Sequence, residues 1–520
     1  MIENYLEKDI LNQIKLLTLC YDYYPSITLD KSCHQLGLSE LLIRKYCHDL
    51  TTLFNSQLSL NIEKSTIVYQ SNGVTREQAF KYIYHQSHVL QLLKFLITND
   101  SGRLPLTYFS EKFGLSCATA YRIRKHISPL LEKLGFQIVK NTITGDEYRI
   151  RYLIAFLNAQ FGIEVYPMSK MDKLLIKRLL LEHSTTFTAS HYFPNTFIFF
   201  DTLLSLSWKR INYNVVVPYS SLFTELQNIF IYDTLQYCVK NVIIDSFKIN
   251  LKKDDIDYIF LAYLTSHNSF SNPNWTEKRI DNVIAIFENY PKFQKLLQPL
   301  KDALPLSGSY HDELVKVAIF FFRTFILGLN QLIPETISFP SWNYHRHDKL
   351  TTILRPIITN WLSKIGEYTF KEQHFLLLCT HLERIIKNHI PPIQIAVLTT
   401  DFINNQILTE CLLQRFSSKK IHFHPYYLLT DDLSNITNLN PDIIITNKKL
   451  SPFIKHEISS ESLITYIDLI NTSDQINQIQ KIISSIQEEK YLIFLNNIIQ
   501  LFNCFFPCEM FFNSFSNILL

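Results

Sequence analysis

A chain of 520 residues that is 47% hydrophobic and only 19% charged holds apolar material for several cores, and its length suggests about three to five folded domains. The formal net charge of +3 is too small to make the whole surface a trap for nucleic acid, so any basic footprint must be local. Ten glycines, none between Gly162 and Gly308 and none after Gly366, exclude a glycine-rich pyrophosphate loop, and nine scattered cysteines without a C-x-x-C pair suggest neither a disulfide framework nor a zinc site. No cofactor and no metal are expected. The N-terminal MIENYLEKDI carries acids early and lacks an apolar run with a cleavage site, so a cytoplasmic protein with reduced thiols is expected.

The first organised segment is a helix over Thr28 to Leu36, a turn at Gly37-Leu38 and a second helix from Ser39 to Phe54. Ser39 suits an N-cap, and Leu42, Ile43, Tyr46, Leu50 and Leu53 share the inner face. This is a helix-turn-helix pattern whose candidate DNA contacts are Arg44, Lys45 and His48, with Glu40 opposing phosphate. A second copy follows between Leu106 and Leu134. Gly114 ends a short apolar-periodic helix, Ser116 caps the next, and Ile123, Ile127, Leu130 and Leu134 recur at helical spacing.

That periodicity leaves Thr119, Tyr121, Arg122, Arg124 and Lys125 outward near the helix start, where they and Ser116 are candidate DNA contacts. Arg122 suits the bidentate pairing that guanine offers, while Arg124 and Lys125 suit phosphates. Six Lys/Arg against two acids lie between Glu111 and Lys140, the local footprint that the net charge requires. Phe136 to Lys140 and Glu147 to Ile150, around Thr144-Gly145-Asp146, read as a two-stranded wing. A pair of surface helices with a solvated charged face is the bland alternative, and two such units in tandem weigh against it.

From Pro167 to Pro391 the pattern is helical, rich in Leu, Ile, Phe and Tyr and broken by prolines. DYIFLAYLTSH, ending at His267, aligns without gaps with KEQHFLLLCTH, ending at His381, which suggests two homologous helical bundles with a histidine at the end of an apolar helix. Each histidine is a candidate phosphoryl acceptor, or alternatively a capping residue that never reacts. After Pro391-Pro392, strands at Ile393–Leu398, Ile421–Leu429, Asp442–Thr446 and Leu463–Ile470 alternate with helices at Phe402–Phe416 and Ile476–Gln487, a small parallel α/β domain. The last 30 residues are strongly apolar but interrupted by Asn496, Asn497, Gln500, Asn503 and Pro507, which favours a core-packing or dimer-forming helix and tail over a membrane span.

The expected organisation is a multidomain, mainly α chain. It has a first helix-turn-helix domain (1–64), a second, winged one (65–166), two helical bundles (167–285 and 286–390), an α/β domain (391–490) and an apolar helix or tail (491–520). This order of parts, with the segments SCATAYRIRKHISPLLEKLGFQI and AYLTSH, resembles the Mga/AtxA family of virulence regulators from Gram-positive bacteria. The resemblance implies a transcription regulator, an activator of virulence or surface-protein genes. Its bundles would be phosphotransferase-system regulation domains (PRDs), phosphorylated at His267 and His381 by phosphocarrier proteins of the sugar phosphotransferase system. Its C-terminal domain would be similar to an EIIB component and support a homodimer or higher oligomer. The first α/β strand ends in Leu398-Thr399-Thr400-Asp401 without the phosphocysteine of active EIIB proteins, which implies contacts rather than phosphotransfer. The expected partners are double-stranded promoter DNA, phosphocarrier proteins and a second copy, with no membrane. No catalytic constellation is recognisable, so an enzyme is not expected; a phosphorelay-responsive protein-interaction scaffold without sequence-specific DNA binding is the alternative.

Overall fold

The computed structural model describes residues 2–55, 57–99, 102–182, 197–266, 270, 274–304, 306, 308–334, 348–366, 370–416, 420–457, 463–466 and 472–505. The chain divides into two compact units. The first comprises Met1–Gln294, Ile319–Tyr344 and Ile365–Phe375, and the second Lys295–Ala318, His345–Lys364 and Leu376–Leu520.

The first unit begins with α1 (Lys8–Asp22), β1 (Ser26–Thr28), α2 (Leu29–Leu36), α3 (Glu40–Leu53), β2 (Leu58–Glu63) and β3 (Thr66–Ser71). Leu16, Leu17, Ile43, Tyr46, Leu50, Leu58 and Ile67 close one core between these helices and an antiparallel sheet of order β1-β3-β2. The β2–β3 hairpin turns at Lys64 and Ser65, both with positive φ, as a two-residue type I′ connection requires. The expected domain division at 64/65 therefore falls inside a hairpin, and strand pairing carries the first domain to Ser71. This hairpin is a wing that the sequence reading of the first domain lacked, although Leu58, Leu60 and Ile62 alternate with Ser59, Asn61 and Glu63 as a half-buried strand requires.

Next come α4 (Arg76–Tyr84), α5 (His88–Thr98), α6 (Leu106–Lys112), α7 (Cys117–Lys133), β4 (Gln137–Val139), β5 (Thr142–Thr144) and α8 (Glu147–Phe161). The second wing is displaced from its expected place. β4 and β5 turn at Lys140-Asn141, again with two positive φ values, whereas Glu147 to Ile150 open α8. An acid in the first turn and eleven buried residues out of fifteen favour a helix packed on all sides over a wing strand.

The middle region is helical, as expected: α9 (Lys170–Glu182), α10 (Ile198–Lys209), α11 (Ser221–Leu226), α12 (Phe230–Cys238), a π-helical stretch at Val239–Ser246, α13 (Lys253–Thr265), α14 (Glu277–Glu288), α15 (Pro291–Ala303), α16 (Ser309–Phe322), α17 (Asp348–Ile365) and α18 (Glu372–His389). α8 is tied to this region by buried charge. Glu147 accepts from Arg210 Nε and Nη2 at 2.7 and 2.8 Å and from Arg151 Nε at 2.9 Å, while Arg151 Nη1 lies 3.7 Å from Asp255 on α13. Burial alone would depress Arg210, but the Glu147 carboxylate holds it above its ordinary value, and burial pushes the Asp255 carboxyl up.

The second unit carries β6 (Ile393–Thr399), α19 (Phe402–Arg415), β7 (Ile421–Tyr427), α20 (Leu433–Leu439), β8 (Ile443–Thr446), α21 (Ser451–Glu457), β9 (Leu463–Tyr466) and α22 (Thr472–Phe505). All pairings are parallel, in the order β7-β6-β8-β9. Ile393, Ile395 and Val397 face Leu408, Leu412, Ile479 and Ile483 of α19 and α22, whereas Ala396 and Leu398 face Ile436 and Ile454 of α20 and α21. This period-two alternation explains why both sheet faces are covered by helices. The expected break at 490/491 does not occur. α22 runs through Asn496 and Asn497, because asparagine costs an interior helix position only a few tenths of a kcal/mol, roughly, and no glycine or proline intervenes before Pro507. Residues 506–520 lie outside the described residues, and no described helix is long and apolar enough to cross a membrane.

Candidate nucleic-acid interface

Both helix-turn-helix units are built on the same turn. Gly37 and Gly114 each take φ +63, and the next residue's N–H reaches back to a carbonyl of the preceding helix: Leu38 to Cys33 at 3.3 Å, Leu115 to Ser110 at 2.8 Å. A serine then caps the second helix in each case, Ser39 Oγ accepting from Leu42 N and Ser116 Oγ from Thr119 N. Superposing the turns in sequence places Lys45 where Arg122 stands, His48 where Lys125 stands and Arg44 where Tyr121 stands.

On α7 the buried stripe is Ala120, Ile127, Leu130 and Leu131, with Ile123 half-buried at its margin. Ser116, Tyr121, Arg122 and Lys125 are exposed, Tyr121 at 56%. Ala118, Tyr121, Arg122 and Lys125 follow one another at helical spacing, a single ridge narrow enough for a major groove. Thr119 is half-buried and accepts from Arg122 Nη2 at 3.1 Å, which holds the guanidinium along the helix start.

Arg124 departs from the outward placement expected of it. Its position matches the buried Cys47 of α3, and the side chain is half-buried with Nη1 donating to Asn141 Oδ1 at 2.9 Å. Asn141 is the second turn residue of the wing, and its carbonyl accepts in turn from Asn99 Nδ2 at 3.0 Å. Arg124 thus fastens the wing to α7, and Lys140, exposed at the wing tip, joins Arg122 and Lys125 as a cation available to a duplex. Lys140 belongs to the basic footprint that the sequence shows between Glu111 and Lys140, but no helical spacing singles it out there.

The first unit presents a quieter face. Arg44, Lys45 and His48 are all exposed on α3, but Arg44 Nη2 pairs with Glu40 one turn earlier at 2.7 Å, and Lys45 Nζ lies 3.8 Å from Asp9. Exposed pairs of this kind contribute little to stability, yet they must be given up for phosphate contacts. Within the first compact unit the two helix-turn-helix regions are joined through Glu7, which accepts from Ser87 Oγ at 2.6 Å and from Val89 N at 3.1 Å, and through Tyr5, whose ring lies 5.1 Å from that of His126 on α7.

Arg149 on α8 escaped the sequence analysis, since it fell in the segment expected to form the wing. Its Nε and Nη2 donate to the carbonyl of Leu134, the C-cap of α7, at 3.1 and 3.0 Å, and its Nη1 donates to Leu327 O at 3.2 Å. Gly135 makes room for this guanidinium, for its φ is +81 and an added Cβ would stand 3.3 Å from Arg149 Nε. Gly135→Ala is expected to cost on the order of 1–2 kcal/mol through the left-handed backbone alone, read as a lower urea midpoint.

Of the candidate phosphoryl acceptors, His267 lies outside the described residues. His381 is half-buried in the middle of α18, two turns before its end at His389, and not at a helix end as expected. The amphipathic run continues through Leu382, Ile385 and Ile386, all buried, so nothing stops the helix at His381. His374, two turns earlier on the same side of α18, is buried with Nε2 3.3 Å from Pro334 O. Among the described residues no group of three or more His, Cys, Asp and Glu is placed to hold a metal ion.

Comparison with known families agrees with this geometry. The M protein trans-acting positive regulator (MGA) HTH domain matches residues 7–66, the Mga helix-turn-helix domain matches residues 72–157, and the M protein trans-acting positive regulator (MGA) PRD domain matches residues 173–390. The chain belongs to the Mga family of PRD-containing regulators. A search of curated proteins found no match. In this Mga-family transcription regulator the first matched helix-turn-helix region runs from α1 to the start of β3 and the second from α4 into α8, with the rest of β3 lying between the two matches. One PRD match spans α9 to α18, where two bundles were expected.

Proposed function

We propose that this Mga-family regulator binds promoter DNA as a homodimer or higher oligomer and activates transcription of surface-protein or virulence genes, under control of phosphotransferase-system phosphocarrier proteins. The exposed ridge of Tyr121, Arg122 and Lys125 on α7 carries the proposal. Among the described residues neither cation of that ridge is ion-paired, in contrast to Arg44 and Lys45. Positive regulation and the M protein target come from the names of the matching families. The four-stranded parallel domain would serve as an EIIB-like contact module, and α19 offers the exposed Phe402, Ile403 and Ile407 to a second copy.

The test is fluorescence anisotropy of the full chain on a promoter-length duplex across a salt series. Affinity is expected to fall linearly in log-log form, with a slope that counts neutralised phosphates. A flat profile, or no binding at any salt, would transfer the assignment to a protein-interaction scaffold.

Phosphorylation at His267 and His381 would add about two negative charges at each site. On the half-buried face of α18 such charge cannot stay where His381 now packs, so the helix surroundings must rearrange. Phosphoryl label transferred from a phosphocarrier protein is expected to fall in His381→Ala and to vanish in the double variant with His267→Ala, while DNA binding by the unphosphorylated protein stays within about twofold, or roughly 0.4 kcal/mol. Full labelling of the double variant would remove both histidines from the proposal.

A further inference from the structure

A cavity of about 410 Å³ opens within the first unit, between the start of α11, the start of α15 and the segment that follows α16. Its size falls in the range of small-molecule sites. Phe322 and Phe325 supply an aromatic wall, Ser220 and Tyr290 supply hydroxyl groups, and Lys292 supplies an ammonium. Tyr290 and Phe322 meet edge to face at 5.9 Å, which holds the phenol against the wall. An ammonium selects an anion, hydroxyls exchange hydrogen bonds with other hydroxyls, and an aromatic face covers the apolar side of a ring.

The cavity rim is also where the backbone is strained. Leu327 sits at φ 53, ψ 27, a left-handed conformation rare for leucine, and Gly328 follows at φ 64. Leu327 lines the cavity, and its carbonyl accepts from Arg149, the same guanidinium that holds the C-cap carbonyl of α7. One residue therefore touches both the cavity rim and the end of the recognition helix.

We propose that this cavity is an effector site for a small hydroxylated organic anion with the chemistry of a hexose monophosphate, and that its occupancy is transmitted to α7 through Leu327 and Arg149. The transmission rests on the assignment of α7 as the DNA reader; the site itself does not. An occupant that shifts the Leu327 turn moves the acceptor of Arg149 Nη1, and the remaining two bonds of the guanidinium to Leu134 must then adjust.

The experiment uses the full chain and glucose 6-phosphate as probe, with glucose and inorganic phosphate as separate arms, by calorimetric titration in the absence of DNA. Saturable binding of glucose 6-phosphate is expected, at least tenfold tighter than either separate arm. Lys292→Ala is expected to weaken it about tenfold or more, and Ser221→Trp, at an exposed position on the rim, to block it. No saturable binding, equal binding of inorganic phosphate, or unchanged binding in both variants would overturn the site. DNA affinity is then compared with and without the probe in the wild type and in Arg149→Met. A probe-dependent change present in the wild type and absent in Arg149→Met supports the transmission, and an unchanged DNA affinity in the wild type overturns it. Absence of DNA binding by the wild type both with and without the probe, with binding of the probe intact, would sink the assignment of α7 and leave the effector site standing.

Discussion

Arg122→Ala combined with Lys125→Ala is expected to lower affinity for promoter DNA by about two orders of magnitude near physiological salt. An arginine on a guanine edge discriminates by about 1–3 kcal/mol, and each lost phosphate contact reduces the salt slope by about one. Both side chains are exposed and neither is ion-paired among the described residues, so the unfolding free energy from a urea titration should stay within about 0.5 kcal/mol of the wild type. Arg124→Ala belongs to another class. Its bond to Asn141 holds the wing, so it should lower the midpoint as well as the affinity. Arg44→Ala with Lys45→Ala should have the smallest effect on DNA, because Glu40 and Asp9 already compete for those cations. Binding by Arg122→Ala/Lys125→Ala indistinguishable from the wild type in an anisotropy titration would remove α7 from the interface.

Glu147→Ala is expected to be the most damaging single substitution for stability. It would leave Arg210 and Arg151, 3% and 0% exposed, without the carboxylate that accepts three of their hydrogen bonds. Breaking a buried ion pair by removing one partner costs about 3–5 kcal/mol, a large share of the 5–15 kcal/mol, roughly, by which a folded domain is stable. Arg151 stacks over Tyr258 at 4.7 Å and faces Asp255, so the damage reaches α13 as well as α8. Glu147→Gln keeps an acceptor of the same shape and should cost less, which separates lost charge from lost hydrogen bonding. An unfolding free energy for Glu147→Ala within 1 kcal/mol, roughly, of the wild type would mean that the cluster contributes no more than an exposed pair.

The helix-turn-helix copies were legible because their determinants are local. A glycine with positive φ, a serine two residues later and an apolar stripe at helical spacing specify a turn and a cap within about fifteen residues. The α/β domain was legible for the same reason, its strands being short apolar runs of β-branched residues between turn signals. The wing of the second helix-turn-helix unit was not, because Glu147 to Ile150 alternates polar and apolar residues as a strand would, and the burial of α8 on all sides decides for a helix. α20 and α21 were missed because each is a single polar-rich helix of seven residues whose few apolar side chains matter only once Ile436 and Ile454 meet the sheet.

By itself, then, the sequence determined the two tandem helix-turn-helix units, the helical middle and the parallel C-terminal sheet, since periodicity and capping act over a turn or two of chain. Only the tertiary structure decided which cations stay available and which are engaged. Arg122 and Arg124 are two residues apart in one basic stretch, yet one rides the exposed ridge and the other holds Asn141, and Arg149 reaches Leu134 and Leu327 across 15 and 178 residues. Charge is written in the sequence; its partners are set by long-range contacts that no local pattern encodes.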